Sequence, residues 1–195
     1  MTDFITSGTW HFSDPERQRM ESAIEFVKGE RVLDVGCRDG TFGIELAKRN
    51  PNTRVEGFDS DASAIQWAND HASANATFYV DDLLAPKLPW GGQYDSVVCM
   101  ETLEHLAPAR VDEAHNRLLS FLRPGGRLIV SVPANSHISD PDHKQTFYRE
   151  ILHGQEGIVW SETCPHLWMM YRIDTHKSVS SKDGAARSAE SGATG

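Results

Sequence analysis

Apolar and polar positions alternate in blocks along the chain between residues 31 and 133. Short runs rich in valine, isoleucine, leucine and aromatic residues predict buried strands, because each run ends in polar residues or glycine. In chain order these runs are Val32–Val35, Arg54–Phe58, Thr77–Val80, Tyr94–Met100 and Arg127–Val132. Amphipathic segments at 41–49 and 110–121 predict helices between strands. This order predicts an α/β domain.

The two ends of the chain have different patterns. Ser13 and Glu16 have the spacing of a capping box, which predicts a helix from about residue 14 to residue 28. From residue 178 onward almost every residue is small, polar or charged, which predicts a disordered tail. The sequence thus predicts a leader and helix at 1–28, one central domain at 29–177 and a tail at 178–195.

Glycines and acids stand where the predicted strands end. Gly36 and Gly40 follow the first strand, and glycine allows positive φ and close approach of a ligand. Asp59 ends the second strand, where an acid can accept hydrogen bonds from both hydroxyls of a ribose. Asp81-Asp82 and Glu101 end the third and fourth strands. Because parallel strands end at one edge of a sheet, these residues predict a nucleoside-binding site there.

Together these motifs resemble those of the class I S-adenosylmethionine-dependent methyltransferases. The matching segments are 34–40, 57–59, 80–82, 94–98 and 122–128. The resemblance implies a doubly wound, Rossmann-like, seven-stranded sheet in the α/β class. It also implies that the apolar runs at 157–161 and 166–173 form a terminal antiparallel hairpin.

The resemblance further implies S-adenosylmethionine as the cofactor. The residues that it places at the cofactor are Asp34, Gly36, Cys37, Gly40, Asp59, Ser60, Asp81, Asp82 and Glu101. The first four belong to the turn beside the methionine part, Asp59 to the ribose and Asp82, with Asp81, to the adenine. Arg38 departs from the family, which usually has glycine there. A nicotinamide dehydrogenase is the competing hypothesis, but its Gly-x-Gly-x-x-Gly pattern is absent from this turn.

A second motif, Glu101-x-x-Glu104-His105, follows the fourth strand. On a helical turn these three residues would share a face. His143, in the loop after the fifth strand, could join them, and mixed oxygen and nitrogen ligands can bind Mg²⁺ or Mn²⁺. The motif resembles that of enzymes that methylate the 2′-hydroxyl at the 3′ end of small RNAs. It also resembles that of ubiquinone-biosynthetic O-methyltransferases.

The same motif has a metal-free interpretation, which stays open. Many members of the superfamily carry Leu-Glu-His at this point, with the glutamate as a helix cap and the histidine as a pocket residue. His105 or His143 would then be the general base that takes a proton from an acceptor hydroxyl. The catalytic candidates are therefore Glu101, His105 and His143.

Charge and cysteine usage narrow the functional classes. The 195 residues carry a formal net charge of −9, which argues against a broad nucleic-acid-binding surface. Three widely spaced cysteines predict neither a disulfide framework nor a Cys-x-x-Cys metal site. No apolar run approaches the ~20 residues of a membrane span, so we expect a cytoplasmic protein.

The predicted activity is methyl transfer to a hydroxyl oxygen of a small molecule or sugar. The alternatives are a 2′-O-methyltransferase that acts on an RNA 3′ end, or a non-catalytic cofactor-binding subunit that needs a protein partner.

Overall fold

The computed structural model describes residues 14–133, 142–144, 158–161 and 168–175. The α-helices are α1 Asp14–Phe26, α2 Thr41–Arg49, α3 Ala62–His71 and α4 Val111–Phe121. The strands are β1 Arg31–Val35, β2 Arg54–Asp59, β3 Ala76–Val80, β4 Tyr94–Met100, β5 Leu122–Pro133, β6 Ile158–Ser161 and β7 Trp168–Asp174. Two short 3-10 helices, Leu103–His105 and Pro108–Arg110, precede α4. The capping residue Ser13 and the tail at 178–195 lie outside the described residues.

The strands form one sheet in the order β3-β2-β1-β4-β5-β7-β6. The first five are parallel to one another, and β7 pairs antiparallel with both β5 and β6. Successive strands extend the sheet first to one side of β1 and then to the other, because β1 pairs with β2 on one side and with β4 on the other. The predicted Rossmann-like α/β class with a terminal antiparallel pair is confirmed.

Burial explains why these runs form the centre of the sheet. Val32, Leu33 and Val35 of β1 and Val97 and Val98 of β4 are fully buried, as expected for strands covered by helices on both faces. Two apolar clusters lie on the two faces of this sheet. Among the described residues, no helix is long and apolar enough to cross a lipid bilayer.

Two elements differ from the sequence-based expectation. Helix α3 was not predicted, although Asp61 caps it by accepting hydrogen bonds from the backbone N–H groups of Ser63 and Ala64. Strand β5 begins at Leu122 rather than after Gly126, and its register with β4 shifts between Tyr94 and Ser96. The predicted turn at 122–126 is therefore an irregular start of the strand.

Candidate active site at the carboxyl edge of the sheet

The turn between β1 and α2 has three left-handed residues. Gly36 has φ +69°, Gly40 has φ +70° and Arg38 has φ +50°. A Cβ at Gly36 would collide with the Thr102 side chain, and one at Gly40 would lie 2.8 Å from Phe78 Cζ. Both glycines are thus required by the packing of the turn as well as by its backbone conformation.

Asp59, at the end of β2, is held by two backbone donors. Its Oδ2 accepts from the Arg38 N–H at 2.9 Å, and its Oδ1 accepts from the Asp61 N–H at 2.9 Å. The left-handed conformation of Arg38 turns this N–H toward the carboxylate, while the Arg38 residue itself is exposed. Each oxygen keeps a lone pair, so the carboxylate is oriented and can still accept two further hydrogen bonds.

Asp34 is the buried acid of the site. It lies in β1, is 2% exposed and sits in the field of two other carboxylates, Asp59 and Asp39. Burial and these like charges raise its pKa from 3.8 to about 8, against a hydrogen bond from the Gly43 backbone. Its Oδ2 has no hydrogen-bond partner among the described residues. Asp34 is therefore a group that a nearby positive charge would ionise.

The two acids after β3 have different roles. Asp81 is 4% exposed and accepts hydrogen bonds from the Lys87 and Leu88 backbones and from Trp90 Nε1, the last at 2.7 Å. Burial raises the pKa of Asp81, but these hydrogen bonds outweigh burial and hold the pKa below its usual range. The Asp82 side chain is exposed and accepts a hydrogen bond from the Leu84 N–H. Asp82 is therefore open to solvent at the end of β3, whereas Asp81 orders the loop that follows.

Glu101 follows β4 with an unusual backbone. Its φ is +50°, and its N–H donates to the Ser131 carbonyl. The 3-10 helix begins only at Leu103. The expected helical turn with Glu101, Glu104 and His105 on one face is therefore wrong. The difference arises because Glu101 itself has a left-handed backbone and pairs with β5 before the 3-10 helix begins.

Three of the four predicted ligands nevertheless come together. One ligand atom each from Glu104, His105 and His143 lies within 4.8 Å of the other two. The segment 142–144 docks on the 3-10 helix, because the Lys144 N–H donates to the Glu104 carbonyl at 2.8 Å. His105 Nδ1 lies 3.3 Å from the Asp142 carbonyl oxygen, and the two imidazole rings are 5.0 Å apart. Glu104 is 1% exposed, His105 exposed and His143 half-buried.

This ligand cluster adjoins the glycine turn. Thr102 lies between Glu101 and the 3-10 helix, and its side chain packs at the Cα of Gly36. Two predicted cofactor residues differ in burial. The Cys37 thiol is buried in the core, where burial raises its pKa, and Ser60 is exposed. Arg19 was missed, since only the fold brings α1 against Glu101.

The family model described as "Methyltransferase domain" matches residues 11–182 of the chain. The chain belongs to this methyltransferase family. Its strand order, glycine turn and strand-end acids are those of the class I S-adenosylmethionine-dependent methyltransferases, as predicted.

Similar curated proteins include two ubiquinone biosynthesis O-methyltransferases. The protein from Xylella fastidiosa strain M23 is 34% identical over 143 residues, which cover 65% of this chain and 55% of that protein. The protein from Erwinia tasmaniensis is 36% identical over 106 residues, which cover 53% and 42% of the two chains. This methyltransferase chain thus spans about half the length of the curated relatives that it matches.

A solved structure has the same fold. Magnesium protoporphyrin IX methyltransferase from Synechocystis PCC 6803, with bound S-adenosylmethionine, superposes with a TM-score of 0.63. The alignment covers 82% of this chain and 79% of that chain at 22% identity. At this identity the likeness concerns the fold alone.

Proposed function

We propose that this chain binds S-adenosylmethionine and transfers its methyl group to a hydroxyl oxygen of a small molecule. The observation that carries the proposal is the adjacency of two groups of residues at one sheet edge. The first is the turn with Gly36 and the acid Asp59; the second is the cluster of Glu104, His105 and His143. Thr102 joins them, so a donor on the turn and an acceptor on the cluster would meet.

On the donor side, Asp59 would accept hydrogen bonds from the two ribose hydroxyls. Its orientation by two backbone N–H groups supports this role, because the carboxylate needs no rearrangement before it binds. Asp34 would face the positively charged methionine part, which would favour its ionised form. Asp82 would lie beside the adenine. S-adenosylmethionine supplies an activated methyl group, so the protein's task is mainly alignment of the two reactants.

On the acceptor side, Glu104, His105 and His143 form a donor set that fits a divalent cation. Two imidazoles with one carboxylate favour Mn²⁺ over Mg²⁺, because Mg²⁺ prefers an all-oxygen octahedral shell. The ion, when bound, would lower the pKa of an acceptor hydroxyl and orient its oxygen. Glu101 lies outside the 4.8 Å group and would join as a fourth ligand only after leaving its own partners.

Without a cation, His105 or His143 would take the hydroxyl proton as the general base. The imidazole of His143 is half-buried, and that of His105 is exposed and lies 3.3 Å from the Asp142 carbonyl oxygen. The two mechanisms differ in one measurable way. The general-base route needs no ion, whereas the cation route loses activity with a chelator.

The cofactor half is tested by calorimetric titration of the purified chain with S-adenosylhomocysteine. Saturable one-to-one binding is expected. The absence of binding would overturn the proposal.

The cation half is tested by titration with Mn²⁺ and then Mg²⁺, and we expect tighter binding of Mn²⁺. Glu104→Gln and His143→Ala should each weaken Mn²⁺ binding at least tenfold, while the surface variants Glu113→Gln and His71→Ala should not.

The acceptor is tested by transfer of labelled methyl from S-adenosylmethionine. A catechol, a sugar with vicinal hydroxyls and a short RNA with a free 3′ diol form a suitable panel. The curated relatives are named as O-methyltransferases, and the acidic chain disfavours nucleic acid, so we expect labelling of the small acceptors. Labelling of the RNA alone would reassign the substrate. Cofactor binding without labelling of any acceptor would favour a subunit that needs a protein partner.

A further inference from the structure

Helix α1 places a guanidinium against Glu101. Arg19 Nη1 lies 3.3 Å from Glu101 Oε2, and each of the two side chains is 22% exposed. The other oxygen, Oε1, accepts a hydrogen bond from Ser131 Oγ at 2.9 Å. The carboxylate is thus divided between a cation on α1 and a hydroxyl on β5. Neither partner belongs to the cluster of Glu104, His105 and His143.

Glu101 is nevertheless a neighbour of that cluster. Burial raises the pKa of Glu101, and Arg19, Ser131, His143 and His105 all act in the opposite direction. Both imidazoles therefore lie within electrostatic range of the carboxylate. Only Thr102 separates Glu101 from the 3-10 helix that begins at Leu103.

We propose that Arg19 holds the Glu101 carboxylate away from the cluster, and that a divalent cation in the cluster competes with Arg19 for it. Arg19 is then a positioning residue that sets the affinity of the site through Glu101. This inference rests on the cation site of the proposed function. It adds that occupancy of the site removes the ion pair that ties α1 to Glu101, because Arg19 loses its partner when Glu101 turns to the ion.

The ion pair between Arg19 and Glu101 should lower the affinity of the cluster for the cation, because it must break before Glu101 can reach the ion. Rupture of a partly exposed pair is a modest penalty, so we expect Arg19→Gln to tighten Mn²⁺ binding about two- to fivefold. Arg19→Lys keeps the charge and should restore most of the wild-type affinity. Arg17→Gln is the matched control, since it removes the same charge from an exposed position of α1 and should leave affinity unchanged.

A double-mutant cycle separates the action through Glu101 from simple charge repulsion. Calorimetric Mn²⁺ titrations would compare wild type, Arg19→Gln, Glu101→Gln and the double variant. If Arg19 acts through Glu101, the gain from Arg19→Gln disappears in the Glu101→Gln background. An equal gain in both backgrounds, or a gain in neither, would overturn the proposal. Circular dichroism of each variant would confirm that the fold is retained.

Hydrogen exchange gives an independent measurement. Saturation with Mn²⁺ should speed amide exchange in residues 20–26 of the wild type, and should not do so in Arg19→Gln, where the contact is already lost. Slower or unchanged exchange in the wild type would contradict release of α1. If the wild type and Arg19→Gln both bind no Mn²⁺, the cation site itself fails. If both bind it equally, only the role of Arg19 fails.

Discussion

At the residue scale, Asp59 has the clearest assignment. Both of its oxygens are oriented by backbone donors, so its replacement removes the proposed ribose acceptor together with two hydrogen bonds that hold the turn. Asp59→Ala should weaken S-adenosylhomocysteine binding at least tenfold, because two hydrogen bonds to a charged group are lost. Calorimetry would measure the change. Asp61→Asn, which alters the neighbouring exposed acid, is the matched control and should retain near wild-type affinity.

Asp34 makes stability depend on pH. Its pKa is raised from 3.8 to about 8, so between these values the folded state holds a proton that the unfolded chain has released. The contribution of Asp34 to the free energy of unfolding is therefore fully present at low pH and is lost as pH rises toward 8. The free energy of unfolding should fall by up to about 1.4 kcal/mol per pH unit in this interval.

Denaturant melts of wild type and Asp34→Asn from pH 5 to pH 8 would isolate this contribution. The free energy of unfolding of the wild type should fall relative to that of Asp34→Asn as pH rises, since the amide stays neutral throughout. Asp70→Asn is the control: it changes an exposed acid that accepts one hydrogen bond from Gln66 and keeps Asp34, so its free energy of unfolding should follow that of the wild type across this pH range. A parallel pH dependence of wild type and Asp34→Asn would refute the raised pKa.

At the element scale, Asp95 joins three segments of the chain. Its Oδ2 accepts from the Glu30 N–H at 2.7 Å and the Arg31 N–H at 2.9 Å, and its Oδ1 pairs with Arg123. Asp95 is 5% exposed, so its loss removes a buried acceptor from two partly buried backbone N–H groups. Asp95→Ala should lower the free energy of unfolding by about 3 kcal/mol, measured by urea denaturation. Glu113→Ala, which breaks exposed pairs only, should cost much less.

The loop after β3 depends on one tryptophan. Trp90 donates to Asp81 and stacks on Phe58 with ring centroids 5.0 Å apart. Trp90→Phe keeps an aromatic ring but leaves a buried carboxylate oxygen with one donor fewer. We expect a loss of about 1–2 kcal/mol in stability by urea denaturation. Phe121→Leu tests the alternative that ring packing dominates. A larger effect there than at Trp90 would favour packing over the hydrogen bond.

Sequence patterns predict elements better than they predict contacts between elements. The strand bounds agree to within a residue or two for β2, β3 and β4, because apolar runs bounded by polar residues reflect burial directly. The site acids at the strand ends follow from the same logic. The pairing of Arg19 with Glu101 does not, since it joins distant parts of the chain and needs a left-handed residue that no local pattern marks.

At the scale of the whole molecule, cofactor binding should be visible as thermal stabilisation. A ligand that binds only the folded state at 100 times its Kd adds about 2.7 kcal/mol. For a domain of this size that corresponds to a rise in Tm of roughly 5–10 °C. Scanning fluorimetry with S-adenosylhomocysteine would measure the rise. Asp59→Ala should show at most about half of it at the same ligand concentration, and a full rise in that variant would remove Asp59 from the site.

The acids at the strand ends also bear on turnover. On the proposed function, the donor enters with a positive sulfonium and leaves as a neutral thioether, so the transfer removes one charge from an edge that carries Asp34, Asp59 and Asp82. The same carboxylates that attract the donor then hold the product less tightly. The electrostatics of this edge thereby favour exchange of spent product for fresh donor, and added salt should narrow the affinity gap between the two.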